Sequence, residues 1–550
     1  MNIYNHDFQD NMPKIIFNRF HQGLAPRFFT GLTNFMTLGK EAMYADGSCD
    51  PLMNLGVLGP TATQLTDLTN VSILNNNTVI QNYALYDTTA SETNVFAIAN
   101  ADELYKITGS THTLDTTIFG TAIAAHATHA TPIGRDIIIY KVNGARYIFY
   151  AWTDNTDGDV GIITTAEASQ EDDFMSTAGT NDPSGALVST LLFTVGSLPI
   201  TLEVADNDFM YIFYNNIVHK YDGTSNGGAQ GTFSSTVVDL PIDWIIKDAK
   251  DAKGKMWIGA MQSASGTFVL GPDRPAGVYV WDRVSTVVKF DDMIPIKGAT
   301  RLHNVFFHDG IPYCFTTASE FYGTAEITEL RKYNGREFET VVQVGSGNEP
   351  ARKGVFEFRG MIGWMGKDGK VYAYGTPYGQ LEAGLFKFFT AAASPDNVGA
   401  VYKGHKDNYY LSYNASGGAV KLQQWQPSTD TQTSASSDWL SLVKELPAHS
   451  RITGIRILWP ALGSAGADIN LVLKLYVNMG TTATHSLNIN YSTDGTRGWR
   501  YFPISSQTGK LDNVHAIQVG LTWPSTATAI ASSIRPYRIE VLYSPQEKLL

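Results

Sequence analysis

The sequence predicts an all-β protein: an irregular six- or seven-bladed β-propeller followed by a C-terminal β-sandwich of jelly-roll type. Three observations predict it. Runs of four to eight β-branched and aromatic residues, bounded by Gly, Asn and Asp, recur along the chain. A loose strand–hairpin–strand unit repeats between residues 65 and 430. Beyond residue 430 the rhythm changes to one-face alternation of apolar and polar residues.

The strand runs are clearest at Ile137-Ile138-Ile139-Tyr140, Tyr147-Ile148-Phe149-Tyr150, Met210-Tyr211-Ile212-Phe213-Tyr214 and Lys255-Met256-Trp257-Ile258. Asn143-Gly144, Asp222-Gly223, Asp309-Gly310, Asn334-Gly335, Asp368-Gly369 and Asp494-Gly495 supply turn chemistry, because these pairs tolerate the positive φ of a tight hairpin. Helical periodicity is nearly absent. Its best candidate is a short stretch at 439–446, with Trp439, Leu440, Leu442 and Val443.

The repeat is marked by Tyr105, Ile162, Tyr221, Trp281, Tyr333, Tyr372 and Leu422, which stand 39 to 60 residues apart. Four-stranded blades need about 40–50 residues, and longer loops add more. A blade of this size cannot bury both faces alone; radial stacking buries them against neighbours and leaves only short edges. The competing architecture is a string of β-sandwiches. Residues 427–438 are polar and of low complexity, as in a linker. After them, Ile469 to Val477 has every odd position apolar, and 451–457, 514–521 and 537–543 continue the pattern. Alternation of this kind marks sheets packed on one face only. The organisation is therefore an N-terminal extended arm (1–64), a propeller (65–430) and a sandwich (431–550). The arm is expected to lie over a partner or to close the propeller ring.

Composition excludes several classes. Apolar residues make up 43% of the 550, too many for a disordered chain. No apolar run approaches the roughly 20 residues of a membrane span. The balance of 40 Lys+Arg against 52 Asp+Glu gives a net charge of −12, which disfavours a freestanding nucleic-acid binder. Cys49 and Cys314 are the only cysteines and form neither a disulfide framework nor a CxxC pair. Two buried thiols are expected, made in a reducing compartment. The N-terminus lacks the basic start and apolar core of a secretory signal.

Chemistry-bearing motifs are sparse. Asp154-Asn155-Thr156-Asp157-Gly158-Asp159 is oxygen-rich enough to suggest calcium, but the twelfth position is Thr165 and not Glu, so a solvated hairpin tip is the better reading and the metal is left unknown. Glu171-Asp172-Asp173 reads as a surface loop. His126 and His129 have i, i+3 spacing without an HExxH context, and His303 and His308 should face opposite sides of a strand. Hydrolysis of a glycan would need two carboxylates about 5–10 Å apart, and no pair stands out. No catalytic constellation and no cofactor site is expected. The 10 Trp, 27 Tyr and 27 Phe are mostly core, with stacking platforms for sugars as the alternative.

In organisation, the chain resembles the β-propeller structural proteins of tailed bacteriophages. The features that carry this are the aromatic arm from Ile15 to Gly23, the Gly47–Pro60 segment, the irregular propeller and the terminal sandwich. The resemblance implies a non-enzymatic virion component of the tail, tail tip or neck. It would be made in the host cytoplasm and would assemble with copies of itself or with neighbouring tail proteins. It carries no functional residue across. Two alternatives stay open: a carbohydrate- or receptor-binding tail adhesin, and a propeller glycoside hydrolase. A neck position would further demand an acidic lumen, over which DNA slides without sticking.

Overall fold

The computed structural model describes residues 13–17, 68–74 and 79–545, apart from segments 86–94, 116–132, 165–199, 224–231, 263–275, 426–437, 460–469 and 523–537 and shorter loop pieces. Every regular element among the described residues is a β-strand. Strands β1 (Lys14–Phe17) and β2 (Leu68–Leu74) come first. Antiparallel sheets then follow one another along the chain.

The first sheet holds β3 (Ile80–Leu85), β4 (Val95–Ala99), β5 (Leu104–Thr108) and β6 (Thr113–Asp115). The second holds β7 (Ile133–Val142), β8 (Ala145–Thr153) and β9 (Gly158–Thr164), and the third β10 (Ile200–Val204), β11 (Phe209–Tyr214), β12 (Ile217–Asp222) and β13 (Thr232–Asp239). The fourth is β14 (Trp244–Ala252), β15 (Lys255–Gln262), β16 (Ala276–Trp281) and β17 (Met293–Ile296). The fifth is β18 (Ala299–His308), β19 (Ile311–Ser319), β20 (Glu326–Tyr333) and β21 (Phe338–Gly345). The sixth is β22 (Pro350–Phe358), β23 (Met361–Gly366), β24 (Lys370–Gly375) and β25 (Gly384–Thr390). The seventh combines β26 (Asn397–Lys403), β27 (Tyr409–Asn414) and β28 (Val420–Trp425) with β2, which pairs with β28 from Leu68↔Trp425 to Leu74↔Val420.

The leading strands of these sheets pack on one another in a cycle. Strand β3 touches β7, and the chain of contacts runs through β10, β14, β18, β22 and β26 back to β3. Radially stacked four-stranded units of this kind are propeller-like. The seven sequence marks all fall on the third strand of their sheet: Tyr105 on β5, Ile162 on β9, Tyr221 on β12, Trp281 on β16, Tyr333 on β20, Tyr372 on β24 and Leu422 on β28. Their regularity has a packing cause. Third strands are covered on both faces, and Tyr105, Tyr221, Trp281, Tyr372 and Leu422 are all buried.

The remaining strands are β29 (Asp438–Leu440), β30 (Lys444–Trp459), β31 (Asn470–Val477), β32 (His485–Asn490), β33 (Gly498–Pro503), β34 (Val514–Thr522) and β35 (Arg538–Pro545). They join β1 in one pairing network of order β1-β35-β30-β34-β31-β32, with β29 on β34 and β33 on β30. The 16-residue β30 is shared: Lys444, Glu445 and Ser450 pair with β34, whereas 450–458 pair with β35 and 454–459 with β33. A register break between Glu445 and Ser450 lets it change partners. Alternation read from the sequence places Leu473, Leu475, Val519, Leu521, Ile539 and Val541 in the core, in the same apolar cluster as Trp364 and Trp425.

One expectation is corrected here. The short helix at 439–446 is absent: Trp439 lies in β29 and Lys444 opens β30. Four apolar residues are too few to offset helix nucleation, and pairing with β34 satisfies the same backbone. Of the arm, residues 13–17 are described: their strand, β1, joins the C-terminal network, and β2 supplies the seventh sheet's fourth strand. Turn chemistry behaves as read at Asp309-Gly310, where φ is +50 and +72 degrees, the two successive positive values a two-residue hairpin needs.

Candidate functional site

The cycle of leading strands brings polar residues together at its centre. Four leading strands break register with their neighbours just before an Asn or Asp: between Ile80 and Asn82, Gly134 and Asp136, Ile246 and Asp248, and Leu302 and Asn304. Bulges re-aim side chains, and here each re-aimed Asx bonds beyond its own strand. Asn82 Nδ2 donates to Asp136 Oδ1 at 2.6 Å and to Ile137 O at 3.0 Å. Asp136 Oδ2 accepts from Leu202 N at 3.0 Å, and Asp248 Oδ2 from Val305 N at 3.1 Å. Asn304 Oδ1 accepts from Phe315 N at 3.1 Å, and its Nδ2 donates to Arg352 O at 3.4 Å. The Asx residues stitch β3 to β7, β7 to β10, β14 to β18 and β18 to β22.

Strand β22 adds charge to this stitching. Its ladder to β23 lapses between Pro350 and Val355, the stretch that carries Arg352 and Lys353. Arg352 reaches β10 and β7, which are not its neighbours in the cycle. It donates to Ile200 O at 2.8 Å, to Thr201 Oγ1 and to Arg135 O at 2.5 Å, and it pairs with Asp136 at 3.2 Å. Lys353 reaches β14 and pairs with Asp248 at 3.1 Å. Lys250 on β14 pairs with Glu203 on β10 at 2.7 Å, and Glu203 also accepts from Asp251 N.

Burial sets the protonation of this cluster. Desolvation drags Lys353 down, but the carboxylates of Asp248, Asp136 and Glu203 more than offset it and hold the amine above its ordinary value. Desolvation dominates at Glu203, whose carboxyl is raised although Lys250 and Lys353 oppose the shift. Arg135 is lowered to about 10 by burial and by the nearby Arg352. Burial also lowers Lys247.

Each of the five carboxylates on leading strands is in an ion pair: Asp136, Glu203 and Asp248 as above, Asp251 with Arg283 at 3.2 Å, and Glu357 with Lys403 at 3.3 Å. The cluster forms a clasp between strands. Arg135, Lys247, Lys250, Arg352 and Lys353 stand among these acids. The buried carboxylates of Asp136, Glu203 and Asp248 need such counterions.

The residues singled out in the sequence do not converge. His303 bonds Thr317 Oγ1 at 2.7 Å, and His308 lies 3.5 Å from Asp309. The bulge between Leu302 and Asn304 interrupts the simple alternation assumed between these two histidines. Asp154 to Asp157, Glu171-Asp172-Asp173, His126, His129 and Cys49 lie outside the described residues. Gly158 and Asp159 open β9. Cys314 is fully buried, and burial pushes its thiol up to about 12. Among the described residues no group of three or more His, Cys, Asp or Glu is placed to hold a metal. No helix among them is long and apolar enough to cross a membrane.

Aromatic residues serve the core. Phe358 stacks on Trp425 with centroids 4.9 Å apart, and Trp364 meets Phe315 at 5.0 Å. The exposed large apolar side chains among the described residues are Ile242 and Val284. The clasp itself escaped the sequence reading. Its signal was present as Ile80-Gln81-Asn82, Gly134-Arg135-Asp136, Ile246-Lys247-Asp248 and Leu302-His303-Asn304: a polar residue, then Asx, early in a strand.

No family model matches the sequence, and no curated protein does. Solved structures give distant likenesses. The Drosophila plexin A structure in complex with semaphorin 1b is 7% identical, covers 66% of this chain and 88% of its own, and scores a TM of 0.36. The six-bladed β-propeller lectin of Aleuria aurantia is 11% identical over 54% of this chain and 92% of its own, with a TM-score of 0.30. An α-L-arabinanase of Cellvibrio cellulosa, complexed with arabinohexaose, is 9% identical over 48% and 95%, with a TM-score of 0.27.

Proposed function

We propose that this chain is a non-enzymatic structural protein that assembles through protein–protein contacts, a tail, tail-tip or neck component of a tailed-bacteriophage virion. The seven sheets are read as seven blades, and β2 completes the last of them. The C-terminal network is read as a jelly-roll-like sandwich in which β30 runs through both layers. One observation carries the non-enzymatic part: every carboxylate on the leading strands is held in an ion pair, so the centre of the ring is spent on holding blades together. A rigid disc of this kind suits a spacer within a particle. The phage assignment rests on the resemblance in sequence organisation, and partners are other tail proteins and copies of the same chain.

The test is direct. Antibody against the purified protein should label phage particles in negative stain, and the protein should release no sugar from a panel of bacterial surface glycans. Unlabelled particles would remove the virion assignment. The hydrolase reading is favoured by one observation, the raised carboxyl of Glu203 on β10, a strand that packs between the β7 strand of Asp136 and the β14 strand of Asp248. Sugar release abolished by Glu203→Gln would establish it. Glycan-array binding without release would favour the adhesin.

A further inference from the structure

The first described strand is held by the last. Strand β1 pairs antiparallel with β35 from Lys14↔Leu542 to Phe17↔Ile539, and Tyr543 N donates to Pro13 O at 3.1 Å. Three side-chain features accompany the ladder. Ile15 packs on the main apolar cluster. Lys14 Nζ lies 3.7 Å from Glu540 Oε1, and Lys444 Nζ donates to Ile16 O at 3.3 Å. Glu540 is only 1% exposed and also meets Arg538 at 2.7 Å and Arg456 at 3.6 Å, the latter lying over the Trp499 ring. The edge of β35 therefore has a definite chemistry: a backbone ladder, an apolar seat for Ile15 and a buried carboxylate for Lys14.

Two features make this contact transferable. Strand β1 has four residues and a single neighbouring strand. The 50 residues from 18 to 67 separate it from β2, and such a length spans up to about 170 Å. Residues 13–17 can thus reach β35 of a neighbouring molecule with the same contacts. Exchanging an identical element between protomers is a low-cost route to association.

We propose that the β35 edge is the docking site for residues 13–17 of a second copy, so that copies are joined by exchanged N-terminal strands. This rests on the reading that the protein assembles with itself. Strand addition supplies the backbone bonds, and the Lys14–Glu540 pair and the Ile15 seat fix the register.

The experiment uses full-length chains carrying Cys49→Ser. One carries Ile15→Cys and the other Val541→Cys, positions directly opposite in the register. The two are mixed, oxidised and separated without reductant, with light scattering of the unmodified chain alongside. The expected result is a disulfide-linked species containing one chain of each kind, and a shift of the oligomer to monomer on Ile15→Asp. A chain carrying both cysteines is the control. If it cross-links only within itself and the mixture gives no two-chain species, the proposal is overturned. Oligomers still seen by light scattering would then leave self-assembly standing without strand exchange, whereas monomers at all concentrations would remove both. Failure of the doubly substituted chain to cross-link would also overturn it, since β1 would then not sit on β35.

Discussion

Arg352 Nη2 lies 3.2 Å from Asp136 Oδ2 and joins two leading strands that are not neighbours in the cycle of sheets. Asp136 has no exposed surface, so its charge depends on partners within the protein. Replacing Arg352 by Met should lower stability by about 3–5 kcal/mol, because a buried carboxylate loses its counterion. Urea denaturation measures the loss. Hydrogen exchange should show lost protection in β7 and β10 as well as in β22. Adding Asp136→Asn should recover part of the stability; a double variant as unstable as the sum of the two singles would mean that the residues are not coupled.

Histidines make the fold sensitive to acid. Burial lowers both His219 and His303 to about 4 from an ordinary 6.5. His219 Nδ1 accepts from Thr236 N at 3.1 Å, which requires an unprotonated nitrogen. Between pH 6.5 and 4 the unfolded chain binds protons that the folded chain does not. Stability should therefore fall as pH drops through this window, by up to a few kcal/mol in sum. Thermal melts at pH 7 and pH 5 test it: replacing both residues with Gln should flatten the difference, and an unchanged slope would contradict the assignment.

Gly134 sits where β7 crosses the first sheet. A Cβ there would overlap Ala99 O and the Ile98 side chain. Backbone cannot yield as a flexible side chain does, so Gly134→Ala should cost about 1–3 kcal/mol through overpacking. Gly144→Ala, at a turn with open space around it, serves as a control for positive φ alone. Melting temperatures of the two should rank Gly134→Ala lower.

Cys314 should be silent to thiol reagents in the folded protein. Its thiol is fully buried and held up at about 12, and the thiolate is the reactive form. In a Cys49→Ser background, labelling should be absent in buffer and reach one equivalent above the urea midpoint. Rapid labelling under native conditions would mean that the fifth sheet opens locally.

Glu203→Gln should leave the fold nearly intact and remove a loss of stability on the alkaline side. Its carboxyl is raised by burial, so in the window above its ordinary 4.5 the folded form holds a proton more readily than the unfolded chain does, and stability declines as pH rises there. The amide removes that decline but also loses the Lys250 pair. Relative to the unmodified protein, the urea midpoint at pH 8 should rise against that at pH 5; an unchanged difference would contradict the assignment.

The sequence by itself determined the strand content, the repeat and the change of rhythm after residue 430. These are local properties. Alternation, β-branching and Asx-Gly turns act over a few residues, so Tyr221, Trp281 and Tyr372 could be read as marks without knowing their neighbours. Only the tertiary structure decided that β2 pairs with β28 and β1 with β35, and that Arg352 finds Asp136. Those choices depend on which edges and counterions remain unsatisfied after the sheets have stacked, a property of the whole assembly that residue order does not display. The clasp lay between these extremes: its Asx residues recur visibly at Asn82, Asp136, Asp248 and Asn304, but their role appears only when bulges turn them toward the next strand.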